Sequence, residues 1–312
     1  MEAVLRHRGP SGEVVLGARL DACAQLLGRF APDAVDHVSA IGPIISPEFE
    51  QYGELIAATD HSLAGLLLRG EGSGFTERIQ GLLRQWDLGE EAAFVHAHLA
   101  AAFEHKRCFL KLEWCGHATG VERQVAVYYR RRPKLHDALK VLAQAAGTTV
   151  ALDDLRELGA LLGKDTVHFV SAVMRPGRPI HYKLYFSQYV IPDSYEAVFV
   201  RLQRALHRFA GQAAAEARWT AYHDRLSSRQ LAHTLFVSLA VSEDGTDPSL
   251  KIDYPGVSPV VAAGLLEGTC LKQTEAGLRH LCEAADRMDL SYLGVRIRAK
   301  GDPVLKGYAD FL

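Results

Sequence analysis

The chain has 312 residues, 48% of them hydrophobic and 23% charged, which allows a large core and argues against disorder. Its 35 basic and 37 acidic residues leave a formal net charge of −2, which argues against a general nucleic-acid or membrane-surface binder and makes any cationic site local. Five cysteines (Cys23, Cys108, Cys115, Cys270, Cys282) show no CxxC and no regular spacing, as expected of reduced thiols rather than a disulfide framework or a zinc site. The first ten residues, Met1 to Pro10, carry no apolar targeting segment, and no apolar run approaches the roughly 18 residues of a membrane span. These features predict a soluble cytoplasmic protein, acting as a monomer without nucleic-acid or membrane partners.

Taken in order, residues 17–30 have apolar groups at helical spacing. Val38–Ile45 and Glu54–Thr59 read as two strands joined by a proline-containing loop. Gly70-Glu-Gly-Ser-Gly74 is a glycine-rich loop that follows no evident strand, so a phosphate-cradling role is disfavoured. Helices are predicted at Phe75–Trp86 and Glu90–His105, then a hairpin of Phe109–Cys115 and Arg123–Tyr129 turning at Gly116–Gly120. Helices Lys134–Ala146 and Leu152–Leu162 follow, the second started by Asp153 as a cap and closed by Gly163. A second hairpin pairs His168–Met174 with His181–Ser187. Helices Ser194–Ala210 and Ala213–Ser227 precede the hairpin of Thr234–Ser242 and Leu250–Tyr254. Helices Pro259–Gly268 and Thr274–Met288 precede the last, Tyr292–Ala299 with Pro303–Asp310.

The chain therefore reads as a single domain over residues 1–312. Helix–helix–strand–strand repeats lie at about 75–130, 134–188, 194–255 and 259–312, with a less regular N-terminal repeat within 1–75. Strands that arrive as hairpins make an antiparallel sheet, which excludes Rossmann and TIM folds. About ten such strands, with helices on one face and a partly polar second face, predict a closed α+β barrel with a lined interior.

Four strands carry a cation among hydrophobes: Glu122–Tyr129 with Arg123, His181–Ser187 with Lys183, Ser249–Tyr254 with Lys251, and Val304–Ala309 with Lys306. A lone buried ammonium is costly unless an anion meets it, so their recurrence points to an anionic ligand. Tyr185 and Tyr308 follow Lys183 and Lys306 by two residues, hence on the same strand faces. Any one of these lysines alone is more often a solvated strand residue, and Arg130-Arg-Arg132 reads as a solvated run. Asp153-Asp-Leu-Arg-Glu157 imitates an aspartate-rich diphosphate motif but lacks a second copy. His96, His98 and His105 have no carboxylates at metal spacing.

On these strands the sequence resembles the aromatic prenyltransferases of the α-β-β-α type, whose fold is called the PT barrel. His181–Ser187 is similar to the family's third hairpin, Tyr292–Leu312 to its last and Cys115–Tyr129 to its second. The resemblance covers about residues 90–312. It implies transfer of a dimethylallyl or geranyl group from its diphosphate to an electron-rich aromatic small molecule. It further implies Arg123, Lys183, Lys251 and Lys306 as diphosphate ligands, with Arg298 and Lys111 as further candidates. Tyr185, Tyr308 and Tyr129 would shield the allylic cation. Glu113 would hold or deprotonate the acceptor, by analogy with a glutamate about ten residues before the family's first diphosphate-binding arginine; a structural ion pair of Glu113 with Lys111 or Arg123 is the equal alternative.

Two departures are visible. Asp253 stands where a tyrosine is expected, and the family's occasional magnesium-binding aspartate has only Asp60-His-Ser62 as a loose counterpart. No cofactor is therefore expected to be required, and magnesium dependence is doubtful. The rival readings are prenylation of tyrosine or tryptophan in a cyclic peptide, and a non-catalytic barrel that binds a hydrophobic anion.

Overall fold

The computed structural model describes residues 20–21, 24–25, 53–58, 63–70, 73–103, 108–117, 120–130, 132–146, 151–211, 233–264, 274–285, 287–298 and 303–311. In chain order the elements are β1 (Gly53–Ala58), β2 (Leu63–Gly70), α1 (Ser73–Gln85), α2 (Gly89–Ala102), β3 (Cys108–His117), β4 (Gly120–Tyr129), α3 (Leu135–Ala146) and α4 (Leu152–Leu161). They continue with β5 (Phe169–Met174), β6 (His181–Val190), α5 (Tyr195–Ala210), β7 (His233–Ser242), the two-residue β8 (Gly245–Thr246), β9 (Ser249–Val257), α6 (Pro259–Gly264), α7 (Thr274–Ala284), β10 (Leu290–Arg298) and β11 (Val304–Phe311).

The sheet runs β6-β5-β4-β3-β2-β1-β11-β10-β9-β7, and β6 pairs again with β7, so ten antiparallel strands close into a barrel. Closure leaves none of these ten strands with an open edge, and the two-residue β8 is attached to β7 outside the ring. Side chains alternate across each strand, and the two faces differ sharply in chemistry. The outward face is apolar: Leu55, Leu66, Leu68, Leu110, Leu112, Trp114, Val125, Val127, Leu184, Phe186, Leu239 and Ile252 are buried in one continuous core. Helices supply the other half of that core. α5 contributes Val198, Leu202, Ala205, Leu206 and Phe209 at helical spacing, then stops at Gly211, whose φ of +79° needs no Cβ. The inward face is mixed, with a small apolar group of Ile56, Ala58, Leu63 and Tyr308 among charged and aromatic side chains.

Several expectations need correction. β1 matches the expected Glu54–Thr59 strand, but its hairpin partner is β2, paired Gly53↔Leu68 through Ala57↔Ala64. Val38–Ile45 lies outside the described residues, as does the helix expected at 213–227. The glycine-rich segment does follow a strand, since Gly70 ends β2. Gly70 is needed for packing: a Cβ there would fall 1.8 Å from Cε2 of Phe75. Asp153 is not the cap of α4, which has Ala151 at that position; it lies in the first turn and pairs with Arg156. Gly163 ends α4 as expected, with φ +64°.

Tyr129 belongs to the outer layer. His96 on α2 gives its Nε2 hydrogen to the carbonyl oxygen of Thr76 at 3.2 Å, so Nδ1 is left to accept the Tyr129 hydroxyl hydrogen at 2.7 Å. Both side chains are buried. Removing one partner strands the other without solvent, so Tyr129→Phe should lower unfolding stability by about 1–3 kcal/mol. Urea denaturation checks this, and an unchanged midpoint would show that the bond contributes nothing.

Candidate active site

The registers decide which predicted residues meet. β5 and β6 pair Ser171↔Lys183 and Phe169↔Tyr185, and β7 places Ser238 opposite both Tyr185 and Lys251. β10 places Arg296 opposite Lys251, and Gly294 opposite both Asp253 and Lys306. Lys111, Glu113, Lys183, Tyr185, Lys251, Asp253, Lys306 and Tyr308 therefore share the interior, drawn from β3, β6, β9 and β11.

Arg123 does not join them. β3 and β4 pair His117↔Gly120 and Glu113↔Gln124, so only two residues separate the strands at the turn. That register puts Gln124, Ala126 and Tyr128 inward and Arg123, Val125, Val127 and Tyr129 outward. Arg123 instead lies over the Trp86 ring of the helical layer at 5.6 Å. A shift of one residue in the turn exchanges the faces of a whole strand. The inward neighbours of the two expected residues, Gln124 and Tyr128, occupy the places predicted for Arg123 and Tyr129. Arg298 has inward parity but is exposed at the far end of the barrel, opposite Ser249.

At the centre is Glu113, fully buried. Its Oε1 is 2.6 Å from Nζ of Lys306, its Oε2 is 2.9 Å from Nζ of Lys111, and Oε2 also accepts a hydrogen bond from Gln124 Nε2. Gln124 in turn accepts from Arg175 Nε at 2.6 Å. Gly65 lets the β3 backbone and the Glu113 stem approach closely: a Cβ there would fall 2.4 Å from the Leu112 carbonyl oxygen and 3.0 Å from Glu113 Cγ. Burial alone would raise the Glu113 pKa, but Lys111 and Lys306 outweigh it and hold the carboxyl well below its usual range. Lys306 falls to about 8, because burial, helped by Lys111 and Lys251, overcomes the pull of Glu113.

A second pair sits beside the first. Lys251 Nζ is 2.5 Å from Asp253 Oδ1, donates to the Tyr308 hydroxyl at 3.0 Å, and lies 5.0 Å from the Tyr308 ring centre. Gly294 leaves space for it: a Cβ would come within 2.6 Å of Lys251 Cε and 2.7 Å of Asp253 Oδ1. Although burial disfavours the charge on Lys251, Asp253 keeps its pKa above the ordinary value. Lys183 differs. No carboxylate meets it among the described residues, and burial together with Arg296, Lys111, Lys251 and Lys306 pushes it well below the usual lysine range.

Next to this charged layer is a cavity of about 300 Å³. Its wall includes Phe109, Tyr128, Phe169, Tyr185, Phe236, Tyr292 and Tyr308, with Lys251 and Asp253 among them and Glu54, Arg69, Arg130 and His168 toward the strand ends. Lys111, Glu113, Lys183 and Lys306 do not line it; Lys111 Nζ is 5.9 Å from the centre of the lining Tyr128 ring, and Glu113 bridges Lys111 to Lys306. Burial holds the hydroxyls of Tyr128, Tyr185 and Tyr308 protonated far above their ordinary range. Phe169, Phe236, Tyr292 and His168 escape a motif reading because each is an ordinary aromatic residue on a strand; only the barrel makes them neighbours. Asp60, His61 and Ser62 lie outside the described residues.

No protein-family model matches the chain, and no curated protein does at the level required. Solved structures do. 5-Dimethylallyltryptophan synthase from Streptomyces coelicolor superposes with a TM-score of 0.65 at 12% identity, over 96% of this chain and 97% of that one. NotF in complex with brevianamide F and DMSPP gives 0.66 at 13% identity over 97% and 96%. AnaPT from Neosartorya fischeri gives 0.58 at 12% identity over 96% and 98%. The chain has the PT-barrel fold of these structures along nearly its whole length.

The Glu113 cluster can be tested directly. With Glu113→Gln the anion that supports Lys306 is gone, so the Lys306 titration midpoint should fall below about 8. Carbon-13 NMR of labelled lysine side chains reads this, and a midpoint that stays or rises would contradict the pairing.

Proposed function

We propose that this protein transfers a prenyl group from an allylic diphosphate to an aromatic small molecule. The observation that carries the reading is the layering of the barrel interior. Among the described residues, ammonium groups outnumber the carboxylates that meet them in a buried layer beside a cavity walled by aromatic rings, with Lys251 and Asp253 on that wall, in a fold shared with solved structures of prenyltransferases.

The chemistry uses both layers. The allylic C–O bond breaks with its electron pair leaving on the diphosphate, and fixed cations in a low-dielectric interior stabilise that charge as it develops. Lys183, Lys251, Lys306 and Lys111 are assigned to that task, with Arg296 in reserve near Lys183. Among the described residues Lys183 has no carboxylate to neutralise it, so an arriving anion would restore its charge. Tyr185, Tyr308 and Tyr128 would present their faces to the allylic cation and keep water from it. The acceptor ring attacks that cation and then loses a proton. Glu113, with both oxygens held, is assigned as the counter-ion that fixes Lys111 and Lys306 rather than as an acceptor ligand.

A cavity of about 300 Å³ lies at the small end of ligand sites, which favours a free aromatic molecule over a peptide. Neighbour structures are titled as complexes with tryptophan, brevianamide F and dimethylallyl thiolodiphosphate, so an indole acceptor and a dimethylallyl donor are proposed first.

Incubation with dimethylallyl or geranyl diphosphate and a panel of indoles, phenols and cyclic peptides, with and without EDTA, should give a prenylated indole or phenol and free diphosphate. Diphosphate binding with no product would favour the non-catalytic barrel, and product from peptides alone would favour the peptide enzyme. Lys183→Met and Lys251→Met should each slow product formation by about 100-fold or more. In Gly294→Ala the added methyl displaces the Lys251–Asp253 pair, whose ends are flexible, so inorganic pyrophosphate affinity should fall while the folded circular dichroism spectrum is kept. Unchanged affinity would detach that pair from anion binding.

A further inference from the structure

The ring that has been alkylated must still shed a proton, and the charged layer offers no convenient acceptor. Glu113 has both oxygens engaged and does not line the cavity. Of the carboxylates that do line it, Asp253 is paired with Lys251, and Glu54, whose Oε1 accepts the Ser291 hydroxyl at 2.9 Å, is the competing base, on β1 four strands away from β5. The lining tyrosines keep their protons, as their raised pKa values require.

One other lining group carries a basic nitrogen. His168 precedes β5, and its backbone N–H is fixed by the Tyr185 carbonyl oxygen at 2.7 Å. Its ring is 4.5 Å from that of Phe169 and 4.8 Å from that of Phe236, both walls of the cavity. Among the described residues neither ring nitrogen has a hydrogen-bond partner; the residue is 9% exposed, and its ring nitrogens are not sealed from the cavity. The imidazole is held between aromatic rings while its nitrogens stay open to the cavity and free to take a proton.

We propose that His168 is the catalytic base that takes the proton from the prenylated ring. This rests on the transferase reading above. The donor C–O electron pair has already left on the diphosphate, and the ring's π electrons have formed the new bond to the allylic carbon. The C–H bond at the substituted ring carbon then breaks, its electrons restore aromaticity, and the proton passes to an imidazole nitrogen of His168.

The surroundings of His168 support this role. Burial, then Arg130 and Arg132, lowers its pKa to about 4, so the ring is neutral and able to accept a proton at neutral pH. Glu54, Arg69, Lys251 and Asp253 are the other charged groups of the cavity wall. A weak base suffices, because the cationic ring is a far stronger acid than an imidazolium. Its weakness also favours rapid release of the proton to solvent.

The test compares native protein with His168→Asn and His168→Phe, the second keeping an aromatic ring between Phe169 and Phe236. Dimethylallyl diphosphate is the donor, and the acceptor is the indole that the native protein turns over best, starting with L-tryptophan. Both variants should bind dimethylallyl thiolodiphosphate within about threefold of the native protein, yet form product about 100-fold or more slowly. Acceptor deuterated at the reacting carbon should show a primary isotope effect in the variants, and added imidazole should restore part of the rate to His168→Asn. Product formation within about threefold of native in both variants would overturn the proposal and leave the diphosphate as base. A fall in donor affinity that matches the loss of rate would overturn it too, as packing alone. No product from the native protein with any acceptor overturns the transferase reading itself, and this step with it.

Discussion

Among the described residues, four lysine ammonium groups face the interior of one closed barrel, and two carboxylates meet them. Every other feature of the site follows from that imbalance. Glu113 serves Lys111 and Lys306 together, Asp253 serves Lys251, and Lys183 is left with only cations around it. Charges this deep are tolerated only where they are paired or where the group can give up its proton. Lys306 and Lys183 take the second course in part, as their lowered pKa values record. An interior so arranged is poorly suited to being empty and well suited to receiving an anion.

The barrel makes the imbalance affordable by separating two kinds of packing. Apolar burial is concentrated between the strands' outer faces and the helices, where Leu, Val, Phe and Trp side chains form one continuous core. Stability therefore does not depend on filling the interior with hydrocarbon. Small residues then admit the charges: Gly65 stands against Glu113, and Gly294 against the Lys251–Asp253 pair. At Gly294 a single methyl group would occupy space now taken by an ionised pair, and at Gly65 it would strike the β3 backbone that carries Glu113. The aromatic cavity adjoins the charged layer through Tyr128, Tyr185 and Tyr308, whose rings face both.

The hairpin of β3 and β4 shows how closely site chemistry depends on register. Glu113 and Lys111 point inward as the alternation of Leu110-Lys-Leu-Glu-Trp114 suggests, because Leu and Trp seek the helical layer. Arg123 is followed by Gln-Val-Ala-Val, in which apolar residues occupy both parities. Nothing in that run says which face is buried, and only the two-residue turn settles it, sending Arg123 to Trp86 and Gln124 to Glu113. β2 is obscure for a related reason. Leu66, Leu67 and Leu68 are consecutive, since both faces of that strand meet apolar neighbours, and a period of two disappears.

What the sequence alone determined was the alternation of helices with hairpins, hence an antiparallel barrel, and the inward parity of Lys183, Tyr185, Lys251, Lys306 and Tyr308. Local periodicity is enough for both, because each strand sorts its own side chains between two faces. Tertiary structure alone decided which cations share an anion, that Arg123 and Tyr129 belong to the outer layer, and that His168, Phe169 and Phe236 meet at inclined angles on the cavity wall. These are relations between strands distant in the chain, and they are set by turn length and barrel closure, which no pattern within a single strand encodes.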